Sequence, residues 1–218
     1  MSMKLYNSQL SPYSARVRLA IYAKGLDVAI VDGFSTPELE AELCKLTPMQ
    51  KVPVLVHGDV VVPESEVICE YLEDLGVGAP LRPDDAESRA RMRLLSRLGD
   101  LYVMEPMTKL FGQINPKGRD QALVDARMAE LNSGMAWLDH YLDGSPYAVG
   151  GKLTLADCAL APMLFFYKQI GPMFGFVDPF AKLKSACDYY KGLQQDAHAA
   201  RVIEEVEVAL KRVMGAKG

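Results

Sequence analysis

Short apolar runs alternate with segments of helical periodicity along the first third of the chain. This alternation predicts strands over residues 3–6, 28–31, 52–56 and 60–62, and helices over residues 14–24, 37–46 and 65–75. The last two strands flank a Gly-Asp turn, as the strands of a hairpin do. Because the first three strands are joined through helices, we expect a partly parallel sheet to which the hairpin adds an antiparallel edge.

The remainder of the chain is helical in pattern almost throughout. The stretch over residues 76–85 contains two Gly and two Pro residues and predicts a linker at residues 79–85. Beyond the linker, helices are predicted over residues 86–111, 120–141, 154–169, 178–191 and 197–214. Pro106 is expected to bend the first of these helices. The predicted fold class is an α/β domain over residues 1–78 followed by an all-α helical domain over residues 86–218.

Two of the predicted helices carry distinctive apolar patterns. On the helix over residues 120–141, apolar side chains at intervals of three and four form one seam: Val124, Met128, Leu131, Met135, Leu138 and Leu142. The helix over residues 154–169 is apolar on nearly all sides, so we expect it at the centre of the second domain. Thr154 and Asp157, at its start, have the spacing of a capping box, which is a structural feature.

The composition is that of an ordinary globular protein. Of 218 residues 50% are hydrophobic, and 24 basic against 28 acidic side chains give a formal net charge of -4. Without a basic excess, neither nucleic acid nor a membrane is a predicted partner, and a small anionic ligand has to be held by local groups. No apolar run reaches the roughly 20 residues of a membrane span, and the N-terminus lacks a secretory pattern.

The cysteines and histidines show no metal-binding or redox spacing. The cysteines are scattered and form no Cys-x-x-Cys pair: Cys44, Cys69, Cys158 and Cys187. The histidines are equally isolated: His57, His140 and His198. We therefore expect reduced, mostly buried thiols in a cytoplasmic protein without a metal site.

The Ser-Pro-Tyr-Ser segment at residues 11–14 lies between the first predicted strand and the first predicted helix. One interpretation is structural, because Ser followed by Pro is a common helix opening with Ser11 as the cap. The other is functional, because a helix N-terminus stabilises an anion and lowers the pKa of a thiol placed there. In that case the Ser11 hydroxyl donates a hydrogen bond to a substrate thiolate and is not itself a nucleophile.

Two further segments allow both a structural and a functional interpretation. Pro53 directly before a strand fits either an edge position or a cis peptide bond, which leaves the main chain of Val52 facing outward to pair with an extended peptide. Glu64 and Ser65 precede a helix and fit either a cap or a site for a zwitterion. In the second case Ser65 and the helix N-terminus bind a carboxylate and Glu64 binds the adjacent ammonium.

The order of these segments resembles that of the cytosolic glutathione S-transferase superfamily, in particular its serine-type members of the zeta, tau and phi classes. The matching segments are Ser-Pro-Tyr-Ser at 11–14, Arg-Val-Arg-Leu-Ala at 16–20, Lys-Val-Pro at 51–53, Glu-Ser at 64–65 and Thr-Leu-Ala-Asp at 154–157. The resemblance covers essentially the whole chain. It implies a thioredoxin-like N-terminal domain, an all-helical C-terminal bundle, glutathione as co-substrate and a homodimer.

The resemblance also assigns roles to residues. It implies that Ser11 activates the glutathione thiol, with Ser14 as the fallback donor, and Tyr6 invites comparison with the tyrosine-type classes. It implies that Val52 pairs with the cysteinyl part of glutathione and that Pro53 is the cis-proline.

The two ends of glutathione have their own predicted partners. The resemblance implies that Glu64 and Ser65 bind the γ-glutamyl ammonium and carboxylate. It also implies that Lys51 meets the glycyl carboxylate, for which Gln50 and Lys45 are alternatives.

The electrophilic substrate is less well defined by the sequence. Most of the Met and aromatic residues are core residues by default, and a subset can line an apolar pocket, for which we select Tyr13, Met104, Met107 and Phe111. The predicted activity is transfer of glutathione to a small hydrophobic electrophile. A glutathione-dependent isomerase and a non-catalytic glutathione-binding member are the alternatives. Zeta-like proteins read Ser-Ser-Cys-Ser at the first turn, and Tyr13 stands in the place of that cysteine.

Overall fold

The computed structural model describes residues 2–215, which form two compact units. One unit comprises the chain up to Arg82 together with residues 197–215, and the other comprises Pro83–Asp196. The strands are β1 (Met3–Asn7), β2 (Val28–Asp32), β3 (Val54–His57) and β4 (Val60–Pro63). The helices are α1 (Pro12–Lys24), α2 (Pro37–Leu46), α3 (Ser65–Asp74), α4 (Ala86–Leu98), α5 (Glu105–Phe111), α6 (Gln121–Tyr141), α7 (Leu155–Ile170), α8 (Lys184–Leu193) and α9 (Ala197–Gly215).

Within residues 2–215, the strands of the first unit form one sheet in the order β2-β1-β3-β4. β1 and β2 are parallel, with Leu5 opposite Ile30, as expected for strands joined through a helix. β3 is antiparallel to β1 as well as to β4, so only one pair of the sheet is parallel. This mixed sheet, with helices α1 to α3, confirms the predicted thioredoxin-like fold.

One face of the sheet is covered by α2. The side chains of Tyr6, Leu43 and Val54 form a buried cluster there, with partly buried apolar side chains packed around it. Along β1 successive side chains point to opposite faces, so Leu5 faces the other side, where α1 and α3 contact each other. The N-terminus of α1 is therefore on the face opposite Tyr6.

The last described helix groups with the first unit, since α9 packs against α1. The sequence pattern placed this segment with the other helices, in a domain over residues 86–218. The contacts that decide its place include an ion pair between Arg18 and Glu205, 3.0 Å apart. Their sequence separation of 187 residues leaves no local signal of the pairing.

The second unit is helical, as predicted, but its first long helix is not regular. Residues 86–111 are helical throughout, with a π-helical segment at Gly99–Met104 between α4 and α5. The widened turns lie directly before Pro106, which has no N–H to donate to a carbonyl one turn earlier. Tyr102, four residues earlier, has its carbonyl against Gly134 of α6.

The helix predicted over residues 178–191 starts later than the sequence pattern indicates. Asp178 accepts a hydrogen bond from the Phe180 N–H at 3.0 Å and forms a turn with Pro179, and a second turn follows. Helix α8 begins only at Lys184. The prediction of helix over residues 178–183 was wrong, because Asp178 and Pro179 form a turn there in place of a helical start.

The capping box at the start of α7 is present as predicted. The fully buried carboxylate of Asp157 accepts hydrogen bonds from the N–H and hydroxyl of Thr154, from the Ala148 N–H and from the Tyr189 hydroxyl, at 2.7 to 2.9 Å. Burial raises the pKa of Asp157, and these hydrogen bonds oppose the rise. The carboxylate thus joins the start of α7 to α8.

Among residues 2–215, no helix is long and apolar enough to cross a membrane. The four cysteines are free thiols. Cys69 and Cys158 are buried, whereas Cys44 is exposed and Cys187 is intermediate.

We expect Gly134→Ala to destabilise the protein by about 2–3 kcal/mol, because the added methyl group would stand 2.0 Å from the Tyr102 carbonyl oxygen. Chemical unfolding monitored by circular dichroism measures the loss. Gly151→Ala is the matched control, since a Cβ there meets no atom within 4 Å and the change should stay within about 0.5 kcal/mol. Equal stabilities for the two variants would contradict the close approach of α6.

Asp157→Ala should lower the free energy of unfolding by about 3–5 kcal/mol, because it leaves several buried donors without an acceptor. Asp120→Ala at the start of α6 provides the comparison, since Asp120 accepts one cap bond from the Leu123 N–H and should cost about 1 kcal/mol. Thermal and denaturant unfolding of both variants test the difference. A loss no larger at Asp157 than at Asp120 would refute the bridging role.

Candidate active site

Three hydrogen bonds organise the turn between β1 and α1. Ser11 is the N-cap of α1, and its Oγ accepts from the Ser14 N–H at 3.2 Å. The Ser11 N–H donates to the Ser8 carbonyl at 3.1 Å. The Ser8 N–H in turn donates to the Oγ of Ser14 at 3.3 Å. The structural interpretation of Ser11 as a cap is therefore correct, and it defines where the hydroxyl lies.

The two serines of this turn differ in accessibility. Ser11 is partly exposed, whereas Ser14 is fully buried and holds the preceding loop. Because Ser11 Oγ accepts a hydrogen bond, its O–H proton can be donated to another group, and no such acceptor lies within residues 2–215. An anion placed there would also meet the positive end of α1. Of the two hydroxyls, Ser11 has the geometry of a donor to an external ligand.

The Val52–Pro53 peptide bond is cis, in agreement with the prediction. Val52 lies just outside the strand ladder of β3, and its N–H and C=O have no main-chain partner among residues 2–215. Its side chain packs against the cluster of Tyr6, Leu43 and Val54. The main chain of Val52 is thus free to pair with an extended ligand.

Glu64 and Ser65 form the corner that opens α3. Glu64 occupies the N-cap position with φ 68°, and its exposed side chain makes no cap hydrogen bond. Ser65 is buried, and its Oγ accepts from Nη1 of Arg16 at 3.2 Å. Neither side chain caps the helix, so the structural interpretation from the sequence does not describe this corner.

Arg16 is a site residue that the sequence analysis did not single out. Its side chain, 5% exposed, extends from α1 to the start of α3, where it contacts Ser65 and forms an ion pair of 3.2 Å with Glu66. It places a positive charge at the position predicted for the γ-glutamyl carboxylate. The available signal was a charged residue at a helix position flanked by Ala15 and Val17, which are both buried.

Tyr6 lies away from this site. Its ring is 1% exposed beneath α2, and the Lys4 ammonium sits 4.4 Å from the ring centroid. Burial is the main reason that the pKa of Tyr6 is raised, which keeps its hydroxyl neutral. The burial of Tyr6 beneath α2 therefore favours Ser11 over Tyr6 as the predicted thiol-activating group.

The residues predicted for the glycyl carboxylate are all at the surface. Lys51 and Gln50 lie in the loop before β3, and Lys45 lies in the last turn of α2. Within residues 2–215, neither lysine forms an ion pair, so both charges are available to a ligand. The geometry does not rank them.

The residues predicted for the electrophile pocket are divided between the two units and differ in exposure. Tyr13 belongs to the first unit, and the other three belong to the second. Met104 and Met107 are buried in the core of the second unit, while Phe111 is partly exposed and lies edge-to-face against Phe166 at 5.5 Å. Tyr13 and Phe111 are thus the members with surface available to a ligand.

In the part of the chain that the structure describes, no group of His, Cys, Asp and Glu side chains could hold a metal ion. His57 instead pairs through Nδ1 with the Tyr71 hydroxyl at 2.9 Å. In the first unit, the polar groups around Ser11 and Ser65 are the ones suited to bind a polar ligand.

Two family models match the chain. The N-terminal domain of glutathione S-transferase matches residues 5–80, and the C-terminal domain of glutathione S-transferase matches residues 121–188. Glutathione S-transferase 1 of Dianthus caryophyllus is 36% identical over 198 residues, covering 86% of each chain. Maleylacetoacetate isomerase of Rattus norvegicus is 32% identical over 170 residues, covering 73% of this chain and 76% of that one. A stringent starvation protein A homolog of Coxiella burnetii is 32% identical over 215 residues, covering 98% and 97%.

Solved structures agree with the sequence relatives. The glutathione S-transferase of Methylobacillus flagellatus with glutathione bound superposes with a TM-score of 0.74 at 25% identity, over 92% of this chain and 98% of that one. Poplar glutathione transferase F1 shares the fold with a TM-score of 0.78 at 18% identity, over 95% and 99%. With both domains matched and relatives aligned over most of its length, this chain belongs to the glutathione S-transferase family of enzymes.

Proposed function

We propose that the protein binds glutathione in its first unit and activates the thiol through Ser11 for attack on a small hydrophobic electrophile. The observation that carries this proposal is the partly exposed Ser11 hydroxyl at the N-terminus of α1, with its proton available to an acceptor. The glutathione bound to the relative from Methylobacillus flagellatus supports the choice of co-substrate.

The chemistry follows from the local charge distribution. A free thiol has a pKa of about 8.5, and lowering it by one to two units makes much or most of it thiolate at neutral pH. The O–H of Ser11 and the positive end of α1 both stabilise that thiolate. Each unit by which they lower the thiol pKa corresponds to about 1.4 kcal/mol. The sulfur then forms a bond to the electrophilic carbon, and the leaving group departs with its electron pair. Ser11 forms no covalent bond at any step.

The extended tripeptide is proposed to lie between the loop before β3 and the start of α3. Val52 pairs through its main chain with the cysteinyl residue, next to the cis Pro53. Glu64 binds the ammonium, and Ser65 with the adjacent Arg16 binds the carboxylate of the γ-glutamyl group. Support comes from the exposed carboxylate of Glu64, which is opposite in charge to the ammonium, and from the Arg16 guanidinium beside Ser65, whose charge is shared with Glu66.

The remaining assignments stay predictions. Lys51, Gln50 and Lys45 are candidates for the glycyl carboxylate, with the lysines favoured by charge. The electrophile pocket stays assigned to the set that includes Tyr13 and Phe111. The homodimer and the cytoplasmic location are implied by the resemblance to the family.

Ser11→Ala should lower kcat at neutral pH by about 10² or more while changing the Kd for glutathione less than threefold, because the hydroxyl acts on the thiolate and not on the ends of the tripeptide. The pKa of the bound thiol, followed by thiolate absorbance, should rise toward its free value. Steady-state kinetics and calorimetry supply the two constants.

A matched control separates thiol activation from the loss of a helix cap. Thr36→Ala removes the equivalent cap of α2 in the same unit, where Thr36 accepts from the Leu39 N–H at 3.3 Å. That variant should keep the thiol pKa of the parent protein. Equal turnover in Ser11→Ala and the parent protein would rule out the proposed role of Ser11.

Glu64→Gln should weaken glutathione binding about tenfold, because it removes the charge that pairs with the ammonium but keeps the shape of the side chain. The backbone conformation at φ 68° is equally demanding for Glu and Gln, so the fold should be unaffected. Asp27→Asn removes a surface carboxylate elsewhere in the same unit and is the control. Calorimetric titration that returns the same Kd for all three proteins would contradict the ammonium contact.

A second candidate function is glutathione-dependent cis-trans isomerisation. The relative named maleylacetoacetate isomerase favours it, whereas Tyr13 in place of a cysteine disfavours it. In this reaction the thiolate adds to a conjugated double bond, rotation follows, and glutathione is released unchanged. Parallel assays of a cis-dienone acid and an aryl halide distinguish isomerisation from conjugation.

A non-catalytic binding role is the remaining alternative, and the stringent starvation protein A homolog is a relative that is not named as a transferase. The presence of Ser11, Val52 and Glu64 together argues against it, since a scaffold needs none of these groups. Glutathione binding without turnover of any electrophile in a broad panel would favour it.

A further inference from the structure

Arg18 is a fully buried cation in the first unit. Its side chain extends from α1 and is 0% exposed. Burial lowers the pKa of Arg18, and the nearby carboxylate of Glu205 opposes that effect. A buried charge is costly unless it is paired and hydrogen-bonded. We therefore expect the partners of this guanidinium to be important for structure or function.

The guanidinium holds the loop that leads to Ser11. Its terminal nitrogens donate to the Ser8 carbonyl at 3.4 Å and to the Gln9 carbonyl at 3.3 Å, and also to the side chain of Asn7. The Ser8 carbonyl is the same oxygen that accepts the Ser11 N–H at 3.1 Å. Arg18 is thus one hydrogen-bonded residue away from the main chain of Ser11.

Glu205 fixes the guanidinium from the side of α9. Its carboxylate accepts from Nε of Arg18 at 3.0 Å, from the Tyr22 hydroxyl at 3.1 Å and from Nε of Arg201 at 3.1 Å. The Arg201 guanidinium lies 3.7 Å from the centre of the Tyr22 ring. Four side chains therefore join α9 to α1 directly behind the loop of Ser8 and Gln9.

We propose that Glu205 is a positioning residue for Ser11, acting through Arg18 and the Ser8 carbonyl, so that α9 helps to define the thiol-activating turn. The inference rests on the proposed function of Ser11. Neither Glu205 nor Arg18 is proposed to contact the reacting atoms. Their role is to hold the Ser11 hydroxyl in one geometry at the positive end of α1, which preorganised stabilisation of an anion requires.

The first experiment replaces Glu205 with Ala and with Gln in the full-length protein. We expect amide hydrogen exchange at Ser11 to accelerate about tenfold in Glu205→Ala, because the Ser8 carbonyl loses a fixed position. The pKa of the thiol of bound glutathione should rise by about one unit. The kcat at neutral pH should fall several-fold, and the KM for glutathione should change less than twofold. Glu205→Gln should be intermediate, since its amide oxygen still accepts a hydrogen bond.

Glu207→Ala on the same helix is the matched control. Glu207 pairs with Lys211 in a surface ion pair of 2.7 Å and is not part of the network around Arg18. Its removal should leave both the exchange rate at Ser11 and the thiol pKa as in the parent protein. The same changes in Glu207→Ala as in Glu205→Ala would overturn the proposal.

A double variant keeps the test valid if Glu205→Ala is too unstable to study. Arg18→Met combined with Glu205→Leu removes both charges of the pair, an exchange that often preserves or increases stability. A positioning role predicts a folded protein with fast exchange at Ser11 and a raised thiol pKa. A folded double variant with the exchange rate and thiol pKa of the parent protein would refute it.

Ser11→Ala alone separates this inference from the proposed function. A thiol pKa unchanged by Ser11→Ala would refute the role of Ser11 and, with it, the proposed positioning. An impaired Ser11→Ala beside an unimpaired, normally exchanging Glu205→Ala would refute the role of Glu205 alone. In the combined Ser11→Ala and Glu205→Gln protein, the second change should raise the thiol pKa no further, because the hydroxyl that it positions is absent.

Discussion

The hydrogen bonds that close the turn before α1 are the constraint on which the site depends. Ser11 caps the helix, Ser8 accepts its N–H, and the buried Ser14 holds Ser8 from the other side. The partly exposed Ser11 hydroxyl is thereby held at the positive end of α1.

Local signals were sufficient for most of the fold and for much of the site. The periodicity of residues 37–46 predicted α2 with its observed ends, and the spacing of Thr154 and Asp157 predicted the capping box. Contacts between distant residues were not predictable from such signals. Arg16 meets Ser65 across 49 residues, so its role became visible only once α1 and α3 were placed side by side. The placement of α9 depends in the same way on side chains far apart in the sequence.

In the second unit, an irregular helix before a proline is matched by a glycine on a neighbouring helix. Pro106 lacks an N–H, and the turns before it widen into a π-helix. Gly134 is the neighbour that allows α6 to approach the Tyr102 carbonyl in that region. The position of Pro106 predicted a bend, but the form of the irregularity depends on this tertiary contact, which no local pattern encodes.

The packing of α9 against α1 has a consequence for how the protein is made. The first unit is discontinuous in sequence, because the segment that completes it follows the entire second unit. During synthesis on the ribosome, the sheet and α1 emerge early but remain without the carboxylate of Glu205 until translation has passed the middle of α9. The guanidinium of Arg18 must meanwhile stay hydrated or find substitute partners, so the turn before α1 should become ordered late in a nascent chain.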